Sequence, residues 1–180
     1  MKKIIILITS IFLTFTQAMA QNNNLENTLY IDLKDGRVEI QMLPDIAPKH
    51  VERIKTLAKQ KFYDGIVFHR VITGFMAQTG DPTGTGRGGS NLPDLPAEFN
   101  SEPHTRGAVS MARAQNPNSA NSQFFIVTDD STFLDNQYTV WGRVTKGMEF
   151  VDKIKKGSGG NGEVTNPDKM IKVRVATDLK

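Results

Sequence analysis

The chain contains no cysteine among its 180 residues. That absence removes disulfides, thiolate nucleophiles, iron–sulfur clusters, cysteine-ligated zinc and a cysteine-linked lipid anchor. Histidine is nearly as scarce: His50, His69 and His104 show no ligand spacing, so no metal site is expected. Charge of one sign is lacking too. The formal balance is +3, but Lys2 and Lys3 belong to a segment expected to be removed, which leaves 20 basic against 19 acidic residues. So even a balance gives nucleic acid or an anionic membrane surface no electrostatic reason to bind.

The one long apolar run lies at the start. Lys2 and Lys3 precede Ile4 to Phe15, interrupted only by Thr9, Ser10 and Thr14, and Ala18-Met19-Ala20 follows as a small-x-small cleavage site. Residues 1–20 therefore read as a secretory signal peptide, with the mature chain expected to begin at Gln21. The run is shorter than the about 20 apolar residues that span a bilayer. Without an anchor, the expected product is a monomer with no membrane contact after signal cleavage, periplasmic, or secreted if the cell has no outer membrane. Residues 21–27, rich in asparagine, are expected to form a disordered leader. One domain is expected from 28 to 180.

Period-two alternation in Thr28 to Leu33 and again in Val38 to Met42, around Asp35-Gly36, predicts a β-hairpin. Between Pro44 and Tyr63 the period changes. Val51, Ile54, Leu57 and Ala58 share one face of an expected helix, with Asp45 as its cap and Pro48 near its first turn. Strands are expected at 66–72, where Phe68, Arg70 and Ile72 should share a face, and at 75–78, 108–112, 122–128, 138–144 and 170–176. A second helix is expected over 147–156. Residues 79–107, punctuated by glycine and proline, carry no period, and so long a stretch inside a compact domain is functional or packed on itself. The tally of short strands favours a barrel or sandwich.

Motifs for cofactor or nucleophile chemistry do not hold up. Gly84-Thr85-Gly86-Arg87-Gly88-Gly89 fits a dinucleotide pattern, but Asp81-Pro82 precedes it and Leu92-Pro93 follows, so no helix N-terminus meets a phosphate. No serine sits in a G-x-S-x-G elbow. No cofactor is expected. The informative segment is Phe68-His69-Arg70-Val71-Ile72-Thr73-Gly74-Phe75-Met76-Ala77-Gln78. An arginine on an apolar strand face is costly unless it is paired, and Phe75, Met76 and Gln78 follow directly.

That segment, continued through Thr79-Gly80-Asp81, resembles the signature of the cyclophilins, the peptidyl-prolyl cis–trans isomerases. Ser110-Met111-Ala112-Arg113-Ala114, Asn121-Ser122-Gln123-Phe124-Phe125-Ile126, Phe133-Leu134-Asp135 and Tyr138 to Val144 are similar to later blocks of that family, in order. The resemblance implies a mainly β fold, a closed eight-stranded antiparallel β-barrel capped by two α-helices. It implies Arg70 as the catalytic arginine and Gln78 as the group that orients it. Phe75, Met76, Phe125 and Leu134 would wall a proline pocket, while Ala112, Arg113, Phe133 and Tyr138 would complete the substrate groove. Arg113, Phe133 and Tyr138 stand where asparagine, tryptophan and histidine are common in eukaryotic members. The last two differences resemble bacterial exported members and imply weak cyclosporin binding with isomerase activity retained. The implied partners are proline-containing unfolded or partly folded polypeptides. Two other readings are a non-catalytic holding chaperone that uses the same groove, and a small-ligand carrier barrel.

Overall fold

The computed structural model describes residues 24–179. The expected signal peptide and residues 21–23 lie outside them. Eight strands form one antiparallel sheet: β1 (Thr28–Leu33), β2 (Gly36–Met42), β3 (Arg70–Ile72), β4 (Met76–Thr79), β5 (Ala108–Met111), β6 (Phe124–Val127), β7 (Val140–Lys146) and β8 (Lys172–Val175). Their order is β3-β4-β6-β5-β7-β2-β1-β8.

The expected closed barrel is corrected here. The sheet is a half-barrel, open between β3 and β8, and that gap is crossed by isolated backbone bridges such as Val67 to Lys169 and Arg70 to Glu163, and by single backbone hydrogen bonds such as that from Phe68 N to the Asp168 carbonyl. The segment that crosses it carries Gly157, Gly159, Gly160, Gly162 and Pro167, residues that interrupt a ladder rather than extend one.

The hairpin forms as expected, with Leu33 paired to Gly36 across a two-residue turn at Lys34 and Asp35. Helix α1 (Pro48–Lys59) places Val51, Ile54, Leu57 and Ala58 in the core. Its start differs from the expectation. Asp45 does not cap it; Ala47 occupies the cap position without a side-chain bond, and Pro48 opens the first turn. The first-turn donors go instead to Glu98, which accepts from the backbone N–H groups of Lys49 and His50 at 3.1 Å. An acid 48 residues away in sequence supplies the cap, a long-range solution to unpaired helix donors.

Helix α2 (Met148–Asp152) is shorter than the expected 147–156. The leader expectation is also corrected for its described part. Asn24–Glu26 forms a helical turn, and the Asn27 carbonyl accepts from Met42 N at 2.7 Å while its side chain accepts from Lys55 Nζ. Among the described residues, no helix is long and apolar enough to cross a membrane.

Strand β3 begins only at Arg70, so Phe68 does not share its outer face. Phe68 is buried in the main core with Val71. Period-two alternation then divides the sheet: Val71, Ala77, Phe124, Ile126, Val109 and Met111 point into the main core. A second apolar cluster forms on the opposite face from Met76, Ala108, Phe125, Val127, Leu134 and Val140, with Ile72, Phe75, Ala112 and Tyr138 packed against it.

Residues 79–107 are packed on themselves. The Asp81 carboxylate, 1% exposed, accepts from Thr83 N, Thr85 N and Gly88 N. A Cβ on Gly88 would lie 2.2 Å from that carboxylate, so only glycine fits there. Further along, Arg53 of α1 donates to the Pro93 carbonyl at 2.6 Å, and Asn121 receives Ser90 N at 2.8 Å.

Candidate active site

Strand register assembles the site on the outer face. Arg70 lies opposite Gln78, Gln78 opposite Phe125, and Phe125 opposite Ser110. One row across β3, β4, β6 and β5 thus carries a cation, an amide, an aromatic wall and a hydroxyl. Arg70 Nη1 donates to Gln78 Oε1 at 3.1 Å, and Gln78 Nε2 donates to Gln123 Oε1 at 3.0 Å. Gln123 in turn donates to the carbonyls of Gly86 and Gly88. The chain of amides runs from Arg70 to the Gly-rich loop that Asp81 holds.

A cavity of about 190 Å³ opens beside this row. Nine of the ten residues singled out from sequence line it: Arg70, Phe75, Met76, Gln78, Ala112, Arg113, Phe125, Leu134 and Tyr138. The tenth, Phe133, sits at the rim, 65% exposed, with its ring 5.5 Å from that of Phe75. A larger groove of about 570 Å³, with Asp94, Ser119 and Asn121 on its walls, shares Gln78, Ala112 and Arg113 with the cavity.

The Arg113 guanidinium is tied to main-chain carbonyls. It donates to the carbonyls of Ala114 and Gln137, at 2.9 and 3.0 Å, and lies 4.5 Å above the Tyr138 ring. Burial pushes the Arg70 guanidinium down from its ordinary value, and Tyr138 partly offsets this. Its neighbour His69 is buried and likewise pushed down, chiefly by desolvation, so it stays neutral beside the cation.

Sequence reasoning missed His104. Its Nδ1 lies 2.9 Å from Asp135 Oδ1 and its Nε2 lies 3.0 Å from Ser110 Oγ. The three residue types of a hydrolytic triad therefore meet, but His104 and Ser110 are buried and the Ser110 hydroxyl donates to the Thr139 carbonyl. The cluster acts as a support. The His104 ring stacks on Phe125 with centroids 6.2 Å apart and meets the Tyr138 ring edge-on. No local pattern in a Pro-rich segment marks such a residue; only the fold brings it behind the wall. Among the described residues, no group of three or more acids and histidines is arranged to hold a metal ion.

Comparison with known proteins places the chain in a family. Residues 28–175 match the family model for the cyclophilin type peptidyl-prolyl cis-trans isomerase. The chain is 58% identical over 167 residues to a "Probable peptidyl-prolyl cis-trans isomerase" of Brucella suis, covering 86% of this chain and 85% of the relative. It is 43% identical over 133 residues to peptidyl-prolyl cis-trans isomerase B of Bacillus subtilis, covering 72% and 92%. A cyclophilin crystal structure from Hirschia baltica superposes with a TM-score of 0.78 at 29% identity, covering 87% of this chain and 76% of that one. One from Cryptosporidium parvum, determined in the presence of the dipeptide Ala-Pro, gives 0.75 at 26% identity, covering 82% and 98%. The chain belongs to the cyclophilin family. It is a peptidyl-prolyl cis–trans isomerase.

Proposed function

We propose that this isomerase acts on X–Pro bonds of exported polypeptides in the periplasm as a monomer, with Arg70 as the catalytic group. The supporting observation is the single cavity that gathers an oriented arginine with the apolar walls Phe75, Met76, Phe125 and Leu134. Amide resonance sets a barrier of about 18–20 kcal/mol to rotation, and uncatalysed X–Pro exchange takes tens to hundreds of seconds. Rotation breaks no covalent bond, so it calls for no nucleophile.

The apolar walls hold the proline ring while the other side of the bond turns. As conjugation is lost, the prolyl nitrogen regains a lone pair. An arginine side chain has five N–H donors; Gln78 takes one of those on Arg70 and leaves others for that lone pair and the adjoining carbonyl. Because the lone pair exists only in the twisted state, this bond lowers the barrier rather than deepening the ground state. The Ala-Pro dipeptide used with the Cryptosporidium parvum relative supports a proline-containing peptide as the ligand here. A groove that merely holds unfolded chains has no use for the Arg70–Gln78 pair, which disfavours the holding-chaperone reading.

Export rests on residues 1–20, whose pattern is that of a cleaved signal. Two measurements test the proposal: cis–trans exchange of a short X–Pro peptide, followed by NMR, and intact mass of the protein from the extracytoplasmic fraction. Unaccelerated exchange would refute catalysis. Recovery of the uncleaved 20.0 kDa chain would refute export by a cleaved signal.

A further inference from the structure

Gln78 restrains only one edge of the Arg70 guanidinium. The other edge is met by the loop of residues 157–163, which sequence reasoning left unassigned: Arg70 Nε donates to the backbone carbonyl of Asn161 at 2.9 Å. The same loop is fastened to β3 along its backbone. Val71 N donates to the Gly162 carbonyl at 2.7 Å, Gly157 N donates to the Val71 carbonyl at 2.9 Å, and Val164 N donates to the His69 carbonyl at 3.1 Å.

Gly162 fixes this docking. Its φ is +69°, in the left-handed region, and a Cβ there would lie 2.4 Å from Ile72 Cγ1 and 2.9 Å from the Val71 carbonyl oxygen. A side chain at 162 meets both a strained backbone and a clash with the strand that carries Arg70. Gly160, two residues away, has open space around it and no positive φ.

We infer that Gly162 is a positioning residue for catalysis, holding the Asn161 carbonyl against Arg70 Nε so that the guanidinium fork is gripped at both edges and presents its remaining donors to the cavity. The inference rests on the isomerase role given to Arg70 above. Two acceptors on one planar cation remove its freedom to swing or roll, which is the preorganisation that transition-state stabilisation requires. The acceptor is a main-chain oxygen, so the side chain of Asn161 is not the group at work.

The test compares Gly162→Ala, Gly160→Ala and Arg70→Ala in the X–Pro exchange assay, with kcat and KM separated. Misplacement of a reacting group by about 1 Å costs up to roughly a hundredfold in rate. With folded protein counted by NMR, Gly162→Ala should therefore lose about tenfold or more in kcat per folded molecule, with KM within about twofold. Gly160→Ala should match the wild type.

Because Gly162→Ala also strains the fold, the wild-type Arg70 Nε–H NMR signal supplies a second measurement. It should exchange slowly with solvent, and should remain so in Asn161→Ala. Free-solvent exchange of that signal, or a folded Gly162→Ala with unchanged kcat, would overturn the inference. If Arg70→Ala still loses activity in that case, the proposed function stands without it; if Arg70→Ala keeps activity, the catalytic role of Arg70 itself falls.

Discussion

Replacing Arg70 by alanine should separate catalysis from binding, because the proposed mechanism gives the two to different groups. The guanidinium donates to Gln78 Oε1 and to the Asn161 carbonyl, which leaves three of its five N–H groups for the substrate. A hydrogen bond to a charged group is worth about 1.5–3 kcal/mol. The bond to the prolyl nitrogen exists only in the twisted state, and the bond to the carbonyl strengthens there. About 3–4 kcal/mol of differential stabilisation follows, and at 1.36 kcal/mol per decade this is two to three decades of rate. Arg70→Ala should lower kcat/KM by that amount. Affinity for an X–Pro peptide should change far less, since Phe75, Met76, Phe125 and Leu134 still enclose the ring. Arg70→Lys should restore little, because an ammonium on a flexible stem cannot satisfy Gln78 and the Asn161 carbonyl together while also reaching the amide. Phe125→Ala should behave in the opposite way, impairing binding and turnover together as a wall only 5% exposed is removed. The assay is two-dimensional exchange NMR on one peptide, with titration for affinity. Catalysis in Arg70→Ala within threefold of wild type would refute the reasoning.

The remaining expectations concern stability, pH and the rim of the cavity. Burial works to raise the Asp81 pKa, but hydrogen bonds from Thr83 and Gly88 outweigh it and bring it down to about 2. A depressed carboxylate stabilises the fold above its unfolded value near 4 and loses that contribution as pH falls toward 2. Asp81→Asn should thus lower Tm at pH 7 by a few degrees, with the difference from wild type vanishing near pH 2; an equal deficit at both pH values would contradict this. Glu98→Ala removes the remote cap of α1 and should cost about 1–2 kcal/mol, lowering Tm by about 3–8 °C in calorimetry without altering kcat. Among the described residues, those lining the cavity include no histidine, aspartate or glutamate, so kcat/KM should be flat from about pH 5 to 9. A bell-shaped profile would implicate a group outside this set. Phe133, exposed at the rim, has no N–H to donate; cyclosporin should bind weakly, and Phe133→Trp should tighten it in calorimetric titration with little change in turnover.

Much of the fold was legible because its signals are local. Alternation in 28–33 and 38–42 sets a hairpin by sterics and burial alone, and the spacing of Val51, Ile54 and Leu57 fixes the buried face of α1 whatever surrounds it. The segment from Arg70 to Gln78 carried the site, since an arginine among apolar neighbours requires a partner and the partner lay eight residues away, across one tight turn. What lies far apart in sequence leaves no such mark. Glu98 capping α1, His104 backing Phe125, and the Asn161 carbonyl gripping Arg70 Nε are meetings of segments separated by 48, 21 and 91 residues. None shows in a periodicity or a turn pattern. Whether eight strands close or stay open was equally undecidable from alternation, which says which face is buried but not whether the last strand meets the first. The chain itself thus determined the strands, the main helix and the need of Arg70 for a partner. Tertiary structure decided the open seam between β3 and β8, because the glycine-rich backbone that bridges it docks against Arg70 instead of completing a ladder.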